Sequence, residues 1–249
     1  EYLKLKEHIT LPSLNLQEIL SSHVKISQKI VADKPLLKFF KNYLVSGYYP
    51  FFTEGEAVYL SKALNIIEKV LYEDIAVTGN IKKSNIPVLK KILWIIASSV
   101  PFYVNIDKLS RELGISKEYV YIYLEYLERS GLIHTLRSNA KGYAFVRKPE
   151  KICIENTNLL SSINHDLKSQ AEQGAVRETF FVNQLKHILP IRISARGDFI
   201  VDNIYTFEVG GKDKGFDQIE GIKNAYVAAD GIEIVYKNKI PLYLFGFLY

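Results

Sequence analysis

Two short capped helices joined by a tight turn constrain the fold of this chain more than any other stretch. Asn105 stands as an N-cap before residues 106–113, and Gly114 offers a left-handed exit from them. Ser116 caps a second run, 117–129, which Gly131 ends. Leu109, the turn Leu113-Gly114-Ile115-Ser116, and Val120 carry the spacing that makes the pair specific. A helix over 86–99 comes before. Strands at 132–136 and 143–146 come after, with Ser138-Asn139-Ala140-Lys141-Gly142 as the turn between them.

Helix, helix, short turn, helix and hairpin is the order of a winged helix-turn-helix. It occupies residues 76–150, between two segments of different pattern. Residues 1–75 read as helical. Leu16, Ile19, Leu20, His23, Val24 and Ile26 approximate one stripe, with Asn15 as N-cap and Glu18 as its capping-box partner. A helix over 35–44 has Pro35 in its first turn, and Gly47 ends it. The aromatic tract Tyr48-Tyr49-Pro50-Phe51-Phe52 then precedes an apolar stripe over 57–71. Residues 151–249 read as an amphipathic helix over 174–188 and strands at 191–194, 198–201 and 204–209. A helix over 216–224 and strands at 232–236 and 242–247 complete the segment. This αβββαβ order predicts a small mixed sheet with helices on its faces, so the expected class is α+β.

Composition narrows the setting. The longest apolar run, from Ile92 to Val104, is broken by Ser98, Ser99 and Pro101 and falls short of the roughly 20 residues of a membrane span. Cys153 is the only cysteine, which excludes an intrachain disulfide and thiol-based zinc clusters and fits a reducing, cytoplasmic setting. A net charge of +5 permits an acidic partner without demanding one. The chain has no methionine and opens in mid-pattern at Glu1-Tyr2-Leu3, so it is expected to be a segment of a longer protein.

Four phrases carry a family resemblance. They are residues 36–43, Gly47-Tyr48-Tyr49-Pro50-Phe51, Glu155-Asn156-Thr157-Asn158-Leu159 and Arg177-Glu178-Thr179-Phe180-Phe181. With them the chain resembles the C-terminal half of bacterial and archaeal AAA-type P-loop ATPases. The resemblance implies that an ATPase domain precedes this region, that the N-terminal residues lead into its helical lid, and that the chain ends in a degenerate restriction-endonuclease-like (PD-(D/E)XK) domain. ATP is then expected only in the preceding ATPase domain. Within this chain, Gly210-Gly211-Lys212 lacks both the upstream glycine and the hydroxyl residue of a phosphate-binding loop.

The nuclease-like domain would need two acids to hold Mg²⁺ and a lysine near the attacking water. Asp198 and Glu208 have the order and spacing of the metal-holding pair, and Glu178 resembles the family's accessory acid. Position 210, where the lysine belongs, is glycine. Lys212 lies two residues on, at the same strand parity. The competing expectation is an inactivated scaffold. There Glu178 pairs with a neighbouring base, Asp198 sits in a turn after Gly197, and the 210–215 loop carries Lys212 and Lys214 outward.

The winged helix invites a DNA reading through Lys117, Arg137, Lys141, Arg147 and Lys148, with Lys151 just beyond the hairpin. Against it, the second helix of the pair carries Glu118, Glu125 and Glu128, together with Tyr119, Tyr121, Tyr123 and Tyr126, a surface suited to protein contact. The five histidines show no metal-ligand spacing and are expected on surfaces or helix faces. Three expectations result. The first is a non-catalytic accessory region whose partners are its own ATPase domain and a further protein. The others are a Mg²⁺-dependent DNA nuclease and a DNA-binding module. None involves a membrane.

Overall fold

A computed structural model of the chain describes all residues except 33, 80, 100–101, 139–148 and 249. The expected strand at 143–146 and the candidate phosphate contacts Lys141, Arg147 and Lys148 therefore lie outside the described residues. The chain is a mixed α+β protein. Among the described residues no helix is long and apolar enough to cross a membrane.

The helical portion begins with α1 (Tyr2–Lys6), α2 (Leu16–Val31) and α3 (Leu36–Ser46). α2 starts where its capping box predicts. Asn15 Oδ1 accepts the Glu18 N–H at 2.9 Å, and Glu18 Oε2 accepts the Asn15 N–H at 2.8 Å. A 3₁₀ turn over Pro50–Glu54 leads into α4 (Glu56–Lys69), which continues through a π-helical turn, Val70–Ile75, into α5 (Ala76–Thr78).

The middle portion holds α6 (Ile86–Ala97), β1 (Phe102–Tyr103), α7 (Ile106–Leu113), α8 (Lys117–Arg129), β2 (Ile133–Leu136) and β3 (Lys151–Ile154). Asn105 and Ser116 cap α7 and α8 through their side chains, and Gly114 leaves α7 in the left-handed region at φ 65°. β3 is the middle strand of an antiparallel sheet ordered β1-β3-β2. A domain boundary drawn between residues 150 and 151 would cut this sheet.

The last portion comprises α9 (Thr157–Asp166), α10 (Gln173–Lys186) and a five-stranded sheet of β4 (Ile191–Ile193), β5 (Phe199–Val201), β6 (Tyr205–Gly210), β7 (Ala225–Ala229) and β8 (Lys239–Pro241) in sequential order. β4, β5 and β6 form an antiparallel meander, whereas β7 and β8 run parallel to β6. α10 lays Phe181 on this sheet against Phe199, Phe207 and Phe245, four fully buried rings with centroids 4.9–5.6 Å from Phe181. Burying each such side chain stabilises the fold by about 2–3 kcal/mol.

Three expected elements are absent here: the helix over 216–224 and the strands at 232–236 and 242–247. Residues 216–224 form successive turns and no helix, because Gly221 and Asn224 both take positive φ and the run before them is too short to sustain a nucleus. Residues 232–236 are irregular, with Tyr236 66% exposed. The strands instead fall at β7 and β8, and Leu242–Phe247 is a buried 3₁₀ segment. One apolar cluster runs from Leu16 in α2 to Leu248, so the three expected segments share a common core.

Candidate functional site

The β5–β6 hairpin brings the two metal-holding candidates together. Phe199 pairs with Phe207, so Asp198 and Glu208 stand opposite each other one residue further along, on the same face. Asp198 follows the turn at Gly197, as the scaffold expectation has it. Its Oδ2 accepts the Val209 N–H at 2.8 Å, and its own N–H donates to the Phe207 carbonyl at 2.9 Å. Glu208, on the buried strand β6, is 1% exposed. α10 presents Glu178 towards the same region; burial chiefly, and then the Asp198 charge, raises the pKa of both glutamates.

The lysine comes from neither expected position. Lys212 is exposed, and its carbonyl accepts a bond from Lys239 Nζ at 2.6 Å. Lys214 instead folds back to form an ion pair with Glu208. Gly210 makes this route available. A Cβ at 210 would lie 2.6 Å from Lys214 Cγ, so any other residue there would displace the lysine stem. The loop is further fixed by the Asp230 N–H, which donates to the Gly210 carbonyl at 2.8 Å, and by Arg177, paired with Asp230 at 3.0 Å.

A second lysine enters from the other sheet. Lys151, at the start of β3, is 1% exposed, and its Nζ lies 2.5 Å from Glu178 Oε2. The same ammonium sits over the Phe199 ring at 4.8 Å and the Tyr103 ring at 5.1 Å. It therefore does not face phosphate, contrary to the sequence expectation. Burial pushes the Glu178 carboxyl up to about 7 against the pull of Lys151. Burial opposes the charge on Lys151, but Glu178 outweighs it and the ammonium pKa rises. Burial likewise raises Glu208, against the hydrogen bond of Lys214.

This arrangement predicts a pH dependence. An acid whose folded pKa is raised favours folding below its unfolded pKa and loses that contribution as pH rises through the folded value. Glu178 is thus expected to cost the protein about 3 kcal/mol between about pH 5 and about pH 8, and Glu178→Gln should flatten that part of the profile. Urea denaturation across this range checks it. An equally steep decline in the variant would show that another group is responsible.

The remaining candidates disperse. Lys117 is exposed and paired with Asp107. Arg137 is half-buried, with Nη1 3.3 Å from Thr135 Oγ1 and its carbonyl accepting the Ile193 N–H at 3.0 Å. A solvent-facing hollow of about 310 Å³, lined by Leu14, Gln17, Leu189, Asp202 and Tyr205 among others, lies at the turn end of the β5–β6 hairpin, the opposite end from Asp198 and Glu208.

Three of the four phrases that carry the sequence resemblance meet in a different place. Asn158, fully buried at the start of α9, accepts the N–H groups of Gly47 and Tyr48 at 2.9 and 2.8 Å and the Tyr59 hydroxyl at 2.5 Å. Its Nδ2 donates to the Tyr43 and Leu44 carbonyls, both at 2.9 Å. Asn156 caps α9 through Asn158 N and Leu159 N and donates to the Tyr49 hydroxyl at 2.9 Å. The aromatic tract and the Asn-Thr-Asn phrase are therefore one polar staple. It closes the orphan carbonyls at the end of α3.

Fold and site thus define a mixed α+β protein with a buried acid–lysine cluster between its two sheets. The chain belongs to the family described as a domain of unknown function (DUF8612), which matches residues 37–168. That stretch runs from α3 through α9 and includes Asn158 and Lys151, whereas Glu178, Asp198 and Glu208 lie beyond it. No curated protein and no solved structure matches the chain.

Proposed function

We propose that the chain is a non-catalytic accessory region of an AAA-type P-loop ATPase, made of a winged-helix unit and a restriction-endonuclease-like sheet whose acid site is closed by its own lysines. The α6-β1-α7-α8-β2-β3 order with sheet order β1-β3-β2 supports the winged-helix reading. The helix α10 followed by an antiparallel meander and a parallel fourth strand supports the nuclease-like one. The ATPase assignment rests on the sequence resemblance. Fold alone assigns no activity, so the reading turns on the site.

One observation carries it. Glu178 and Glu208 are each neutralised by a lysine of this chain, and Asp198 Oδ2 accepts a backbone N–H. Two ammonium groups supply the positive charge that a divalent ion would bring. An ion would have to displace Lys214 from Glu208, so the residues as arranged do not fit Mg²⁺. The face of α8 favours a protein partner over DNA. Tyr119 is 51% exposed next to Glu118, and the cations of that helix are taken up by Asp107 and Glu125.

The nuclease alternative has one observation in its favour, since Lys214 reaches Glu208 from outside the expected position. Calorimetric titration of Mg²⁺ and Mn²⁺ into the wild type and Asp198→Ala, beside nicking of supercoiled DNA, separates the two. The accessory reading expects no Mg²⁺ binding and no nicking in either protein. Metal binding that disappears in Asp198→Ala, together with metal-dependent nicking, would replace it with the nuclease.

A further inference from the structure

Three residues that the sequence scatters over more than fifty positions converge at one end of the β2–β3 ladder. His134 lies on β2, opposite Cys153 of β3. Glu155 follows β3 by one residue and shares the face of Cys153, which makes it the diagonal neighbour of His134. His187 caps the C-terminus of α10. His134 Nε2 lies 3.0 Å from Glu155 Oε2, and His187 Nε2 lies 3.5 Å from Glu155 Oε1. One ligand atom from each residue falls within 4.8 Å of the other two. The two imidazole rings meet edge to face at 5.5 Å.

Hydrogen bonding alone leaves this cluster incomplete. His134 is 3% exposed, and among the described residues its Nε2 has no aligned hydrogen-bond partner, although it lies 3.0 Å from Glu155 Oε2. The spacing suits a shared ion. Zn–N and Zn–O bonds of about 2.0–2.2 Å at tetrahedral angles put neighbouring ligand atoms about 3.3–3.5 Å apart. The side chain of His187 is 59% exposed and that of Glu155 only 15%, so the cluster opens to solvent on the His187 side, where a fourth ligand can enter.

We propose that His134, Glu155 and His187 form a binding site for a borderline divalent transition-metal ion of the Zn²⁺ class. Two imidazoles and one carboxylate select such an ion over Mg²⁺, which prefers oxygen ligands in an octahedral shell. The ion would latch the end of β3 and its neighbour β2 onto the C-terminus of α10, joining the two sheets at a point separate from the acid–lysine cluster. This inference does not depend on the accessory reading above. Asn183 of α10 already holds the Glu155 carbonyl at 2.9 Å, so the carboxylate is presented from a fixed backbone.

The test is calorimetric titration of the intact chain with Zn²⁺ and with Mg²⁺, followed by thermal unfolding with and without Zn²⁺. Co²⁺ serves as an optical probe, because tetrahedral coordination gives it intense visible bands. One Zn²⁺ per chain, a raised Tm and tetrahedral Co²⁺ bands are expected. His187→Ala, at an exposed position that leaves the core intact, is expected to weaken Zn²⁺ binding by on the order of 100-fold, and Glu155→Gln comparably. Asp198→Ala should bind Zn²⁺ as the wild type does. Absence of Zn²⁺ binding, stronger binding of Mg²⁺, or Zn²⁺ affinity unchanged by His187→Ala would overturn the site.

Discussion

Lys151→Met is expected to lower stability by about 3–5 kcal/mol at about pH 8, because it leaves Glu178 buried without its counter-charge. Methionine fills most of the lysine stem's volume, so the loss is electrostatic and not that of a cavity. At about pH 5 the orphaned carboxyl binds a proton and becomes neutral, so the penalty should shrink. Replacing both partners, Lys151→Met with Glu178→Leu, removes the charges together and should restore most of the stability. Buried ion pairs exchanged for apolar groups of similar volume are often neutral or better. Urea denaturation of the three variants at both pH values measures this. A double variant as unstable as Lys151→Met alone would mean that Lys151 contributes something other than the pair.

Asn158→Leu is expected to cost about 4 kcal/mol, since it leaves buried donors and acceptors unmatched on both sides of the removed amide. The side chain is nearly isosteric, which separates polar loss from packing loss. Asn158→Asp keeps the acceptor for Gly47 and Tyr48 but sets a carboxylate against the Tyr43 and Leu44 carbonyls, so it should not rescue. Thermal unfolding provides the comparison. A loss below about 1 kcal/mol for the leucine variant would show that the end of α3 finds other partners.

What could be read in advance follows from how local each determinant is. The capping box at Asn15, the caps at Asn105 and Ser116 and the left-handed exit at Gly114 are settled within four residues of chain, and α2, α7 and α8 start or end where those signals stand. β7 escaped notice because Ala225-Tyr226-Val227-Ala228-Ala229 has alanine where β-branched residues are expected. In a parallel strand paired on both sides, small buried residues suffice. The acids Asp198 and Glu208 stood out by order and spacing, and the hairpin register sets them opposite each other. Their lysines did not stand out. Lys214 returns through a loop conformation that depends on Gly210, and Lys151 meets Glu178 across 27 positions of sequence, having looked like part of a basic patch after the hairpin. The histidines at 134 and 187 gave no spacing signal because β2 and α10 meet only in the folded chain.

Cys153 lies at the heart of the contact between β2, β3 and α10. It is buried, and burial pushes its thiol up to about 12. At neutral pH the thiol stays protonated, and the thiolate is the reactive form. The fold therefore carries its own silent chemical clock. Alkylation of this single sulfur proceeds only when the seam between the sheets parts, so its rate counts openings there with no substitution made in the protein.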